Sequence, residues 1–371
     1  MSHNPGYPNR NRSLQGWLSR RGALGAGLAL LAPLPAPAET DQQGWGVFRN
    51  RFVAADGRVV DTGNGNVSHS EGQGYGLLLA AAFDTEPTFA RMLGWTERNL
   101  RRRDDRLLAW RWRPEAPGQD RGDLNNAADG DLLVAWALCR GAVRWHNADY
   151  LRLSKAMASD FLRYNTFEAN GQLLMRPGTT GFDHGEHMVV NPSYAVFPAM
   201  RELDAMQPDP RWRRLEAGML DLLDHARFGR RRLAADWVEV PRAGGRYRIA
   251  SEWPPRFSWD AVRIPLYMSW GGLANHPAVD PLMALWFDPT RGAGQPAWWD
   301  LRTETAAPYE ATPGIVAVAR LLLAARLNSA QQRTLPMPAI TAATDYYNAV
   351  LIMLSRLAAR EANLNLAMAE A

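Results

Sequence analysis

Between residues 42 and 358 the chain repeats one theme: a stripe of apolar side chains at helical spacing, a polar loop bearing Gly or Pro, then another stripe. The pattern predicts helices over about 42–53, 72–83, 86–102, 129–145, 148–164, 192–205, 210–226, 258–270, 278–287, 312–327 and 343–358. In the 129–145 segment Leu132, Ala135, Trp136, Cys139 and Val143 fall on one face, which reads as a core stripe. One stretch breaks the theme. Trp237-Val238-Glu239-Val240, then Ala243-Gly244-Gly245, then Tyr247-Arg248-Ile249 alternates around a glycine turn and predicts a short β-hairpin. About a dozen helices with little strand and no linker imply an all-α body of helical pairs around a shared axis. Periodicity alone does not separate a closed barrel from an open α-solenoid.

Length and charge narrow the class. With 371 residues and 46% hydrophobic content the chain can bury a large core. The first 38 residues hold Arg10, Arg12, Arg20 and Arg21 and no acid, so without them the formal charge of +4 falls to zero. A basic pI therefore gives no reason to invoke nucleic acid. Ser19-Arg20-Arg21-Gly22-Ala23-Leu24, an apolar run from Ala23 to Leu34 and Ala36-Pro37-Ala38 read as a twin-arginine export signal over 1–38. That run is shorter than the roughly 20 residues a spanning helix needs, so no stable membrane insertion is expected. The expectation is a single domain over 39–371, delivered folded to the periplasm or secreted. Cys139 is the only cysteine, which excludes an intrachain disulfide and suits a buried helical position.

The residues with chemical potential are mostly acids. Glu71 sits in Ser70-Glu71-Gly72-Gln73-Gly74-Tyr75-Gly76, where glycines let backbone approach a ligand closely. A carboxyl walled in by apolar and aromatic groups can hold a proton near neutral pH. The plainer reading is a first-turn acid at the favourable end of a helix dipole. Asp260 likewise reads as a helix N-terminal acid or the partner of Arg263 at i+3. Asp129 and Asp131, two apart at a helix start, project in different directions and cannot easily serve one atom. His184 and His187 are spaced i, i+3 beside a glycine, unlike a helical zinc pair, and no phosphate or dinucleotide motif is present. No metal or cofactor is expected. Fifteen tryptophans exceed what a core of this size uses, and indoles pack well on the C–H faces of pyranose rings.

Three segments in order, around Glu71, Ala127-Ala128-Asp129-Gly130-Asp131-Leu132 and Ser258-Trp259-Asp260-Ala261-Val262-Arg263, resemble glycoside hydrolase family 8. The nearest resemblance is to periplasmic endoglucanases associated with bacterial cellulose synthesis. Ala109-Trp110-Arg111-Trp112, Asn191-Pro192-Ser193-Tyr194, Asp236-Trp237-Val238 and Asp345-Tyr346-Tyr347-Asn348 extend it over about residues 42–358. The chain departs from the pattern at Ala128, where Ser or Thr is usual, and at Val134 and Gly141, but every carboxylate remains.

The resemblance implies an all-α (α/α)6 barrel with a cleft across one end, the hairpin being a small insertion. It also implies hydrolysis by two carboxyls, with Glu71 as general acid and Asp260 as general base of an inverting mechanism. Asp129 would hold the hydroxyls of the sugar at the scissile position. Trp110, Trp112, Tyr194 and Trp259 are the candidate sugar contacts, and Arg263 would orient a cleft carboxylate. Asp131 reads more simply as a cap or first-turn acid and is kept with the substrate-binding candidates. The implied partner is a β-1,4-glucan, with a cellulose synthase complex as a possible neighbour. Xylan, chitosan and mixed-linkage glucan remain open as substrates, as do a weakly catalytic glucan-binding protein and a polysaccharide lyase.

Overall fold

The computed structural model describes residues 40–102, 104–115, 123–287 and 294–367. The export signal expected over 1–38 lies outside the described residues. The helices are α1 (Asp41–Phe52), α2 (Ser70–Phe83), α3 (Glu86–Leu100), α4 (Ala128–Trp145), α5 (Ala148–Tyr164), α6 (Phe197–Met206), α7 (Pro210–His225), α8 (Arg263–Trp270), α9 (Asp280–Trp286), α10 (Pro313–Ala324), α11 (Ser329–Gln332) and α12 (Tyr346–Glu361).

The even-numbered helices close a ring. α2 packs on α4, α4 on α6, α6 on α8, α8 on α10, α10 on α12, and α12 returns to α2. Of the odd-numbered helices, α1 packs on α12, α3 on α2, α5 on α4 and α7 on α6. The architecture is an (α/α)6 barrel, and side-chain pattern explains the sorting. In α2, small or apolar on nearly every side, 12 of 14 residues are buried, and in α8 all 8 are. The one-sided helices α5 and α7 bury 6 of 17 and 6 of 16, with charged residues on the outer face. The closure that periodicity left open is thus decided by which helices can tolerate contact all round.

Glycine sets how closely the inner helices approach. A Cβ on Gly74 would stand 2.6 Å from the Leu133 Cβ, and one on Gly130 would stand 2.6 Å from the Glu71 amide nitrogen. The glycines after Glu71, expected to let backbone approach a ligand, instead lie inside α2 and let α4 and α12 pack against it. Their cost in helix propensity is offset by this contact.

Several boundaries differ from the helical pattern. The expected 192–205 helix divides into a 3₁₀ turn, Pro192–Tyr194, capped by the Asn191 side chain at 3.0 Å from the Ser193 amide, and α6. The expected 258–270 helix starts only at Arg263, because the ring of Pro265 would clash with a helical carbonyl four residues earlier. Val143, assigned to the core stripe of α4, is 72% exposed near the helix end, where the ring no longer covers that face. The predicted hairpin forms, with Val238 opposite Ile249 and Glu239 opposite Arg248. Its inner strand also pairs with His187–Val190, a partner that local alternation did not show. A second hairpin, Thr166–Ala169 with Gln172–Met175, turns at Asn170-Gly171, both at positive φ.

Candidate active site

The side chains of interest gather where inner helices begin. Glu71 lies in the first turn of α2, Asp129 in the first turn of α4, Arg263 opens α8, and Tyr346 opens α12. Converging N-termini present partial positive charge to the acids placed there. The segment before Glu71 is braced by a short antiparallel pairing in which Ser68 faces Trp112 and His69 faces Arg111. The Ser70 amide donates to the Trp110 carbonyl at 3.0 Å.

Arg263, only 4% exposed, is the hub. Its Nη1 contacts Glu71 Oε1 and stands 3.5 Å from Asp129 Oδ2. Its Nη2 is 2.8 Å from Asp260 Oδ1 and donates to Ser193 Oγ at 3.0 Å. Nη1 also donates to the Tyr75 hydroxyl at 3.3 Å, and that hydroxyl donates to Glu71 Oε1 at 2.8 Å. One guanidinium therefore gathers three carboxyls, and it holds Glu71 and Asp260 at two different nitrogens beside one cleft.

The acids are electrostatically distinct. Burial drives the Asp129 carboxyl well above the usual range, and the charges of Asp260 and Asp131 push the same way against the Gly130 amide, which donates at 2.8 Å. Asp260 is raised to about 7 by burial and then by the charge of Asp236, although the Trp237 indole donates to its Oδ2 at 3.2 Å.

Glu71, Trp259, Asp260 and Arg263 line a cleft of about 630 Å³, together with Asp61, Tyr347 and others from α12 and the loop before α2. Trp259 is 40% exposed there and is braced edge-on by Tyr347, whose hydroxyl donates to the Trp259 carbonyl at 2.5 Å. Tyr194 sits 5.7 Å from the Arg263 guanidinium and edge-on to Trp237. Trp110 stacks on His69 at 6.0 Å beside the Glu71 segment. Trp112 is edge-on to Trp95 and packs on the core. Neither Trp110 nor Trp112 lines the catalytic cavity.

Asp131 does not reach the cleft, which corrects its place among substrate-binding candidates. It is wholly buried, accepting from the Leu108 amide and the Asn126 side-chain amide at 2.7 Å each, and burial raises it to about 8. Two residues on from Asp129 around a helix, it faces the loops and not the axis. Conversely, Tyr75, Ser193, Asp236, Trp237 and Tyr347 bind the site together. Each falls within or beside a segment that carries the family resemblance, yet local chemistry marked none of them. His184 and His187 stack on each other 5.0 Å apart, and no group of three or more His, Cys, Asp or Glu among the described residues could hold a metal ion.

The sequence profile of Glycosyl hydrolases family 8 matches residues 24–361. The chain belongs to glycosyl hydrolase family 8. This family 8 glycoside hydrolase is 40% identical to a probable endoglucanase of Novacetimonas hansenii, over 88% of this chain and 93% of that protein. It is 38% identical to an endoglucanase of Cellulomonas uda, over 81% and 83%. Its fold matches endo-beta-1,4-glucanase CMCax from Acetobacter xylinum with a TM-score of 0.80 at 39% identity, covering 87% of this chain and 98% of that one. A beta-1,3-1,4-glucanase from Paenibacillus at 15% identity and a GH8 xylanase from Teredinibacter turnerae at 18% share the fold, with TM-scores of 0.66 and 0.65.

Proposed function

We propose that this family 8 hydrolase is an inverting endo-1,4-β-glucanase that cuts internal bonds of cellulose chains. The observation that carries the reading is the single guanidinium between Glu71 and Asp260, which keeps two carboxyls apart while aiming both at one cleft. Glu71 protonates the departing glycosidic oxygen. Asp260 removes a proton from a water on the opposite sugar face, and the oxocarbenium-like carbon is captured with inversion. Asp129, inclined by burial to keep its proton, can both donate to and accept from sugar hydroxyls. Trp259 offers a ring face to a neighbouring glucose unit. Relatives named endoglucanases at 38–40% identity support cellulose over xylan or chitosan.

Reducing-end release from carboxymethylcellulose, xylan, chitosan and mixed-linkage glucan tests the substrate, with cellulose or mixed-linkage glucan expected to lead. Proton NMR in the first minutes of cello-oligosaccharide cleavage tests the stereochemistry. An initial α-anomer is expected, and an initial β-anomer overturns the assignment of Asp260 as base.

The reading extends to place. We propose twin-arginine export, supported by Arg20 and Arg21 ahead of the apolar run, and a role beside a cellulose synthase. No described helix is long and apolar enough to cross a membrane. Replacing both arginines with lysine is expected to leave the precursor in the cytoplasm. Co-purification with a synthase, or its failure, tests the second point.

A further inference from the structure

Asp260 is not on a helix but on the turn 258–262, and α8 behind it has no side-chain cap of its own. That turn is fastened from a distance. Asp236 Oδ1 accepts from the Ser258 amide at 2.9 Å and the Ala261 amide at 2.8 Å, and its Oδ2 accepts from the Ser258 hydroxyl. The Asp236 amide donates to the Arg256 carbonyl at 2.8 Å, which fixes the strand entering the same turn. From the opposite side Tyr347 holds the Trp259 carbonyl. Asp236 is 7% exposed, and both of its carboxyl oxygens are taken up by the turn. Trp237, the next residue, reaches the Asp260 carboxyl directly.

We propose that Asp236 is a positioning residue for the general base: it pins the turn that carries Asp260 and keeps a second negative charge beside it. The inference rests on Asp260 being that base. A hydrogen-bond acceptor alone could have capped the turn, since Asn or Ser commonly does so. A buried carboxylate does something more. Like charges at close range make ionisation of the neighbour harder, so the base takes up a proton nearer neutral pH. The other groups facing Asp260 are Arg263 at 2.8 Å, the Asn191 side chain and the Trp237 indole, which favour its ionised form, with Asp129, Tyr194 and Tyr347 close enough to interact and Glu71 across the guanidinium. Asp236 is itself raised by burial, so the two acids titrate as a pair in which each carboxylate opposes ionisation of the other.

The test compares Asp236→Asn, Ser258→Ala and Asp260→Asn in the full chain, with kcat and KM followed over pH on a soluble cello-oligosaccharide. Asp236→Asn keeps an acceptor for the two amides and removes the charge. Its acidic limb in kcat/KM is expected to move down by about one pH unit, with KM nearly unchanged. Ser258→Ala leaves the charge in place, so its limb stays put while kcat falls several-fold from a looser turn. A limb unmoved in a folded Asp236→Asn protein overturns the proposal. Should that variant not fold, unchanged kcat in Ser258→Ala at wild-type thermal stability overturns it instead. Asp260→Asn separates the two ideas, because full activity there removes the base assignment itself, whatever Asp236 does.

Discussion

Glu71 and Asp260 are placed by opposite means. Glu71 rides on α2, an inner helix buried over almost its whole surface and pressed against α4 through glycine contacts. Its position follows from a rigid element. Asp260 rides on an irregular turn whose amides are taken up by Asp236 and whose carbonyl is held by Tyr347, residues 24 positions before it and 87 after. Its position follows from side chains contributed by distant segments. The proposed acid and base thus share one guanidinium but have different supports, and variants should separate the two.

The largest effect is expected at the chemistry itself. Glu71→Gln keeps the shape and removes the donatable proton, so turnover on cellulose should fall by about 10²–10⁴, with folding and oligosaccharide binding retained. A folded variant with half the wild-type rate would take Glu71 out of the mechanism. Next comes the helix contact behind it. Gly130→Ala forces a methyl against the Glu71 backbone and should cost about 1–3 kcal/mol in unfolding experiments. Activity should drop further than the unfolded fraction explains, because α4 can yield only by displacing the start of α2.

The other side of the comparison is read through pH. Asp260 must be ionised to accept a proton, and its carboxyl lies at about 7. The kcat/KM of the wild-type enzyme should therefore fall about tenfold per unit as pH drops below about 7. A limb near the ordinary aspartate range would show that burial and the charge of Asp236 do not raise Asp260 in solution. Asp131 gives a smaller, purely structural signal. Its carboxyl is raised to about 8 in the folded protein, so the folded state holds a proton that the unfolded chain releases. Wild-type stability should then decline as pH rises from the ordinary aspartate range towards 8, while Asp131→Asn should show a flatter profile in thermal melts. The smallest effect belongs to Trp259→Ala, where loss of one exposed ring should raise KM about 2- to 10-fold and leave kcat nearly intact.

How much of this was readable in advance varies with the range of the interaction. Eleven helical segments were visible as apolar stripes because i, i+3, i+4 spacing is local. The Asn170-Gly171 hairpin carried an equally local turn signal that the helical theme hid. Glu71, Asp129, Asp260 and Arg263 were picked out by residue type and family resemblance, and the structure brings all four together. Asp131 shared the same motif as Asp129 and looked equivalent, yet more than half a turn around the helix decides whether a buried carboxyl faces the Arg263 guanidinium or a pair of amides. Trp110 and Trp112 were candidate sugar contacts in a segment that reads as a loop, and the structure adds that backbone pairing ties this segment to the chain ahead of Glu71.

By itself the sequence determined the all-α character, the absence of a disulfide, the family and the acids available for catalysis, since each depends on composition or on neighbours a few residues apart. Only the tertiary structure decided that the even-numbered helices form the inner ring, that the glycines after Glu71 serve helix packing, and that Asp236, Trp237 and Tyr347 hold Asp260 and its turn. These depend on which surfaces meet after the chain has closed on itself. A buried carboxylate such as Asp236 is then defined by the amides it satisfies, and those amides lie more than twenty residues away.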